Sequence, residues 1–532
     1  MKNPEIGRAY MQKTFYELSN IFALGHGEEG DPGEPLKFKV YQDLPRYPLC
    51  QALPLTVGDP RQAFPAFAQT YPDSTDTKLD FLTLSTLLYY TFGFSRHDSG
   101  SGVRWPFHRL VPSARCFYPT ELYLWIPQID ALPAGIYHYD NLHHSLVCLR
   151  RGEYRDTFST LTGADLDDSA AILLISAHFW KNAFRYRNFS YRLCSQEAGL
   201  VAGNALLVAG TLGLQGHIHY QFLDRTVNHL LGFQPLEESL FSIIPLYPKH
   251  SSPTQARLLS TSAEDMLAQI EPISPRYIQP GTLDPQLCSL FVEMDQLSFM
   301  ESTDEFATSS NNTIPACDKN EARLLPPPPL NQGLEMAEAL HQRHSGDMLF
   351  IPLQKPLALE AFWEIIRYSL SPYQHDLCTQ EAGLNAQLYI AVNHVEGLPQ
   401  GLYRLCPTCG ALHVVEQRDV TLDTFRIHST STVSCHTACM VCYIVGNYDV
   451  LAETYGNRSY RIMNMESGIV AQRLCVMSAA FGLAARCSDS YNMQRCEEFL
   501  RLTDQPALPV FLVAIGYERP GPGARYRHTI RF

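Results

Sequence analysis

Residues 186–214 read YRNFSYRLCSQEAGLVAGNALLVAGTLGL, and residues 455–483 read YGNRSYRIMNMESGIVAQRLCVMSAAFGL. The two stretches align without a gap, with eleven identities in twenty-nine positions. A repeat has to be read first, because it changes the fold that the rest of the chain implies. The spacing of about 270 residues is that of a whole domain, not of a solenoid unit. The chain therefore reads as two copies of one domain. In each copy a Tyr-x-x-x-x-Tyr-Arg entry leads into a long apolar run. Ala198, Val201, Ala202, Ala205, Leu206, Ala209 and Leu212 recur at helical spacing, and Gly213 stops the run. The abundant Ala and Gly allow a neighbouring helix to come close. This is the pattern of a central core helix, one end of which can still line a cofactor.

Composition bounds the answer. A chain of 532 residues holds two to four domains. Its net charge of −13 argues against a nucleic-acid partner. No uninterrupted apolar run reaches the ~18–20 residues that cross a membrane, and MKNPEIGRAYMQKTF lacks the apolar core of a secretory signal. Fifteen cysteines without disulfide-scaffold spacing read as reduced thiols, and hence as a cytoplasmic protein.

Residues 1–75, rich in Pro and aromatics, read as an N-terminal arm or small subdomain wrapping the first domain, 76–249. In that domain LDFLTLSTLLYYTF (79–92) is an amphipathic helix stopped by Gly93, echoed by LALEAFWEIIRYSL at 357–370. HDSGSG (97–102) reads as a loop, and Pro112-Ser113-Ala114-Arg115 as a turn. Leu122–Ile126 and Ala134–Tyr139 are strands, with Asp140-Asn141 a hairpin turn; GLYRLCPTCGALHVV (401–415) repeats the hairpin. AAILLISA (170–177), Val441–Val445, Phe241–Leu246 and Pro509–Ile515 are buried strands by composition. Residues 250–332, with clustered Ser, Thr, Pro and Asn, read as a linker with one short helix, and 333–532 as the second domain. Each half is thus an α+β domain, a mainly antiparallel sheet flanked by helices.

These residues resemble the nitroreductase superfamily, and more narrowly its SagB/McbC-type azoline dehydrogenases. Pro112-Ser113-Ala114, Tyr118-Pro119 and Glu121-Leu122-Tyr123 are similar to the family's P-S-A-G-x-x-Y-P-x-E-x-Y. Ala134–Asp140, Tyr191-Arg192, and Glu197-Ala198-Gly199 with Asn204 extend the likeness over most of 80–248, and more weakly over 337–520. The resemblance implies two tandem nitroreductase-like domains forming an intramolecular pseudo-dimer, with FMN as cofactor at the interface between them. It implies oxidation of peptide thiazolines or oxazolines to azoles, with oxygen reoxidising the flavin. The implied partners are a precursor peptide and a YcaO-type cyclodehydratase, with no nucleic acid and no membrane; a further homodimer stays open. The rival readings are an NAD(P)H-driven reductase of small molecules and a flavin-less scaffold of a synthetase complex.

Carried onto this sequence, the resemblance divides the cofactor residues between the halves. The first half keeps the ring-facing turn, where the backbone N–H groups of Ser113 and Ala114 would approach flavin N5 and O4; Arg109 and Pro112 belong to the same stretch, and Arg115 stands where the family has glycine. Asn204, near the helix start, would bond the ring's amide edge. The second half keeps Arg343-His344-Ser345 and Gly516-Tyr517-Glu518, with Arg525 and Arg527 beyond. Arg343, Ser345 and Arg525 would hold the phosphate, arginine offering it a planar fork, while Gln380-Glu381-Ala382-Gly383 replaces the turn. The losses are complementary, so one composite site and one FMN per chain are expected. Related enzymes place a Lys-Tyr pair before the Tyr-Arg entry; here it is Arg185-Tyr186. Arginine does not deprotonate, which leaves Tyr186, its pKa lowered by Arg⁺, or Lys181, one helical turn before Arg185. Cys406, Cys409, Cys439 and Cys442 have metal-like spacing but fall on a hairpin turn and a strand, so no metal is expected; His217 and His219 read as core or edge residues.

Overall fold

The repeated stretch forms two long helices, Ser190–Thr211 and Arg458–Ala480, in the computed structural model of the chain. The structure describes residues 5–17, 31, 33–65, 79–101, 103, 105–249, 260–308, 322–347, 349–378, 385–428, 432–519 and 526–532. The two helices pack on each other, and their glycines permit it. A Cβ on Gly199 would lie 2.0 Å from the Met465 carbonyl oxygen, and one on Gly468 would lie 2.2 Å from that of Gln196. The contact is reciprocal, as in an isologous interface. The Tyr-Arg entries reciprocate as well. Arg192 donates to the Val510 carbonyl (2.6 Å) and pairs with Asp489 (2.7 Å). Arg461 donates to the Leu240 carbonyl (2.8 Å) and pairs with Asp224 (3.0 Å). Each helix therefore ties its own half to the final strand of the other, and each buried guanidinium has a carbonyl acceptor and a carboxylate, although its Nε has no hydrogen-bond partner.

The halves repeat one sheet topology. Among the described residues the first sheet runs Arg46–Pro48, Ser145–Arg151, Gly135–Asp140, Thr120–Ile126, Ala171–His178, Glu238–Pro248, Leu214–Ile218 and Gln374–His375. The second runs Arg323–Leu324, Leu412–Glu416, Gly401–Leu405, Gln387–Val392, Met440–Gly446, Leu508–Gly516 and Ala484–Ser488. Neighbours are antiparallel except Gln374–His375, a piece of the second half that pairs parallel with Leu214–Ile218. The chain crosses back once more. Tyr526–Thr529 pairs with Phe94–Ser99, which pairs with Phe107–Arg109. Residues 94–99 are thus a strand where the sequence suggested that a loop begins at 97, because their partner lies more than 400 residues away.

Two further expectations change. Of the expected linker, the described part from 260 to 308 is packed structure. Its helices Ala263–Leu267 and Ser289–Leu297 bury Met266, Phe291 and Met294, and Arg458 donates to the Ser298 carbonyl (3.0 Å). Few apolar residues suffice because Met266, Leu283, Phe291, Met294 and Met300 are buried, while Ile278, Leu287 and Leu297 stay exposed. The N-terminal arm touches both halves: Arg46–Pro48 extends the first sheet, while Tyr10 packs edge-on against Tyr460 of the second long helix. Gln380–Gly383 lie outside the described residues.

Candidate functional site

The turn after Phe107–Arg109 has an unusual backbone. Arg115, Cys116 and Tyr118 take φ of 50°, 54° and 52°, a left-handed region that L side chains avoid. Arg115 thus keeps the conformation that glycine would adopt freely, and such outliers persist only where their surroundings over-determine them. Here the Tyr118 N–H donates to Ser113 Oγ (2.8 Å) and the Cys116 N–H to the Ser113 carbonyl (3.2 Å). Lys181 Nζ holds the Tyr118 carbonyl (3.1 Å) from behind.

Glu197, from the first long helix, lies beneath the turn and accepts from Thr120 Oγ1 (2.8 Å). Burial pushes its carboxyl up to about 7, against the pull of Ser113 and Thr120. The sequence placed Glu197 in a motif without assigning it work; its register on the helix was the available signal.

The second half supplies the opposite wall. Arg343 follows the helix Met336–Gln342 and donates from Nε to the Leu110 carbonyl (2.9 Å) and from Nη2 to the Arg109 carbonyl (3.2 Å). It therefore grips the base of the first half's turn. Its Nη1 is buried with no hydrogen-bond partner. Arg486 donates to the Ser345 carbonyl (3.2 Å), and the Ala485 N–H to the His344 carbonyl (3.1 Å). Arg96 pairs with Asp98 (2.7 Å), and Arg527 with Glu518 (2.9 Å). Burial, then the charges of Arg527, Arg96 and Arg343, push His344 down to about 3. Burial lowers Arg96, and Arg527 and Arg343 add to that while Asp98 opposes it. Positive charge is thus crowded where Arg343 has a donor left over, which suits a dianionic phosphate. Arg96 and Arg486 were missed in the sequence, and His344 stood in its motif without a role, because their convergence depends on the crossing of Tyr526–Thr529 and on the start of Ala484–Ser488.

The remaining sequence-derived residues sort by what they touch. Tyr186, at the end of the helix Trp180–Tyr186, interacts with Arg115 through its hydroxyl. Burial raises that hydroxyl above its ordinary value despite Arg115 and Arg185, which reverses the expected lowering. Arg185 is half-buried on the same helix. Lys181 is buried in an ion pair with Glu121 (2.5 Å), which also meets His138 Nε2 (3.0 Å). Arg109 is packed inward: its guanidinium lies 4.7 Å from the ring centres of both Phe92 and Tyr118 and donates to the Lys37 carbonyl (2.7 Å). Asn204 lies in the second half of its helix, not near the start. Its amide donates to the Tyr90 and Thr91 carbonyls (both 2.8 Å) and accepts from Gln472 (3.0 Å), so packing occupies it. Gly516 is set by close packing, since a Cβ there would lie 2.9 Å from Pro352. Arg525 lies outside the described residues. Among the described residues no group of three or more His, Cys, Asp or Glu side chains could hold a metal. Nor, among the described residues, is any helix long and apolar enough to cross a membrane.

The pseudo-equivalent position on the other side is built differently. There the turn Pro60–Ala63 packs on the end of the first long helix, as Met336–Gln342 packs on the second. Phe64 and Pro65 follow it, where Arg343 and His344 follow the other. They line a cavity of about 250 Å³ with Gln215, Lys249, Tyr373 and Arg473. Phe64 stacks on Tyr368 (4.9 Å, 7°).

The chain matches no protein-family profile. It is 27% identical over 217 residues to the trifolitoxin-processing protein TfxB of Rhizobium leguminosarum bv. trifolii, covering 38% of this chain and 57% of that protein. It is 31% identical over 157 residues to the microcin B17-processing protein McbC of Escherichia coli, covering 28% of this chain and 55% of that protein. The chain thus spans little more than half the length of these relatives. A crystal structure of a candidate nitroreductase from Anabaena variabilis superposes with a TM-score of 0.71 at 18% identity, over 97% of this chain and 99% of that one. That likeness shows an α+β, nitroreductase-like fold.

Proposed function

We propose that this chain is an FMN-dependent dehydrogenase that oxidises thiazolines or oxazolines in a peptide to thiazoles or oxazoles. The observation that carries the reading is Arg343, a second-half residue that grips the first half's turn while keeping a buried donor free. The reciprocal contacts of Gly199 and Gly468 and of Arg192 and Arg461 support an intramolecular pseudo-dimer, and the reach of Arg343 between the halves supports a composite site. The similarity to two peptide-processing proteins supports a precursor peptide as substrate and a cyclodehydratase as partner. A cytoplasmic setting follows from that chemistry and from the many free thiols.

Arg343, with His344 and Ser345, would orient the phosphate, and the backbone N–H groups of Ser113 and Ala114 would face the ring. Bound there, FMN would supply a hydride acceptor. Arg115 and Tyr186 interact beside the turn and would position the peptide ring, with Glu197 fixing the turn from below. The test is to purify the protein, quantify released flavin, and incubate it with an azoline peptide. Loss of two hydrogens per ring, dependent on bound FMN, supports the reading. A flavin-loaded protein that leaves azolines intact and oxidises NAD(P)H instead would overturn it.

A further inference from the structure

The proposed reaction needs a proton acceptor as well as a hydride acceptor, and the groups named so far serve poorly. Arg185 does not deprotonate. Lys181 is held by Glu121 and the Tyr118 carbonyl. Tyr186 is buried against Arg115. The turn itself carries another candidate. Cys116 Sγ lies 3.9 Å from His108 Nδ1, and His108 Nε2 lies 3.3 Å from Asp98 Oδ2, which pairs in turn with Arg96. Cysteine, imidazole and carboxylate in line form the arrangement that activates a thiol. The carboxylate's charge favours the protonated ring, and the ring takes the thiol's proton.

Cys116 is half-buried on the left-handed turn between Arg115 and Tyr118. It shares with Tyr186 an electrostatic interaction with Arg486 from the second half. We propose that Cys116, activated by His108 and Asp98, accepts the proton released in azoline oxidation; this rests on the function proposed above. One ring C–H bond breaks and its hydrogen passes to Sγ as a proton. With FMN bound as hydride acceptor, the neighbouring C–H would lose its hydrogen with both electrons, and the ring would gain a C=C bond. His108, already protonated in the thiolate–imidazolium pair, releases its proton to solvent, and the thiol proton then moves from Sγ to His108 Nδ1, which restores the pair. Burial opposes ionisation of Cys116, but His108 outweighs it, aided by Tyr118 and Lys37, and the thiol lies below its ordinary value. Asp98 and Cys116 together hold His108 above its own, against burial and Arg96. Around Asp98 the facing groups are Arg96, His108, His344 and, in register on the C-terminal strand, Arg527.

The test is the pH dependence of iodoacetamide alkylation in the full chain, followed residue by residue by mass spectrometry, with the half-buried Cys50 as internal reference. Cys116 is expected to react with a midpoint about one pH unit or more below Cys50. H108Q should raise that midpoint and slow alkylation at pH 7 about tenfold, one unit being a factor of ten in thiolate. D98N should move it in the same direction by less, which guards against an H108Q variant that fails to fold. C116S should lower azole formation and abolish the low-pH limb of its rate profile. Alkylation of Cys116 at the ordinary thiol midpoint, or a C116S enzyme with unchanged rate and profile, would overturn the proposal. Alkylation does not depend on substrate, so an activated Cys116 in a chain that forms no azole would instead locate the failure in the proposed function.

Discussion

The two sides of the helix pair share one scaffold and differ in what they offer a ligand. On one side Arg343 and His344 meet a strained turn, with Arg96, Arg486 and Arg527 close by. On the other, Phe64 stacks on Tyr368 and Arg473 donates to the Ser369 and Ser371 carbonyls (3.2 and 2.6 Å). The first arrangement has positive charge and a buried donor left over. The second has an aromatic residue in the corresponding place, lining a cavity of about 250 Å³, and an arginine with partners of its own. Residues that hold the halves together are matched pairwise, while those around the ligand position are not. Duplication within one chain allows this, because each copy is free to change alone, unlike the subunits of a symmetric dimer.

The comparison can be broken most severely at the matched residues. G199A and G468A each place a methyl group against backbone, so both should lower stability by about 3 kcal/mol or more, and by similar amounts, in denaturant unfolding. A large effect at one glycine alone would contradict the reciprocal contact. Next are the matched carboxyls Glu197 and Glu466, each raised to about 7 from 4.5 by burial. A raised carboxyl stays protonated in the folded state after the unfolded chain has lost its proton. Stability therefore falls as pH rises from 4.5 to about 7 and is level above. E197Q and E466Q remove that slope, and relative to wild type each should gain up to ~3 kcal/mol across the window. Unfolding midpoints at pH 4.5, 6 and 7.5 check this.

The unmatched residues should respond unequally. R343L removes a charge-assisted hydrogen bond of about 1.5–3 kcal/mol and should weaken FMN binding roughly 10- to 150-fold in a fluorescence titration. R473L should leave FMN affinity within about twofold. Equal losses would erase the asymmetry. The smallest effect is expected at Arg115. R115G relieves a left-handed residue and should raise stability by at most about 1 kcal/mol, read as a small rise in Tm.

Much of the fold was legible because its signals are local. The apolar run of 190–211, the hairpin at 135–151 and the buried strands 171–178 and 440–446 announce themselves by period and composition. The packed segment 260–308 did not, since its few core residues, such as Phe291 and Met294, are separated by polar surface. Strand 94–99 did not either, because its partner comes from the far end of the chain. The site was legible as a list of residue types and much less as directions. Arg109 and Arg343 look alike in sequence, yet Arg109 turns inward onto Phe92 and Tyr118 while Arg343 crosses between the halves. Asn204 was read as a ligand because amides bind flavin edges, but its helix register turns it toward Tyr90, Thr91 and Gln472. Cys116, His108 and Asp98 fall within nineteen residues, and only the pairing of 94–99 with 107–109 brings them into line.

The central claim is one composite site per chain, and the most direct measurement is the amount of FMN released per chain after reconstitution with excess FMN and desalting. This account predicts one FMN, lost in R343L and retained in R473L. Two FMN per chain, or none, would contradict it.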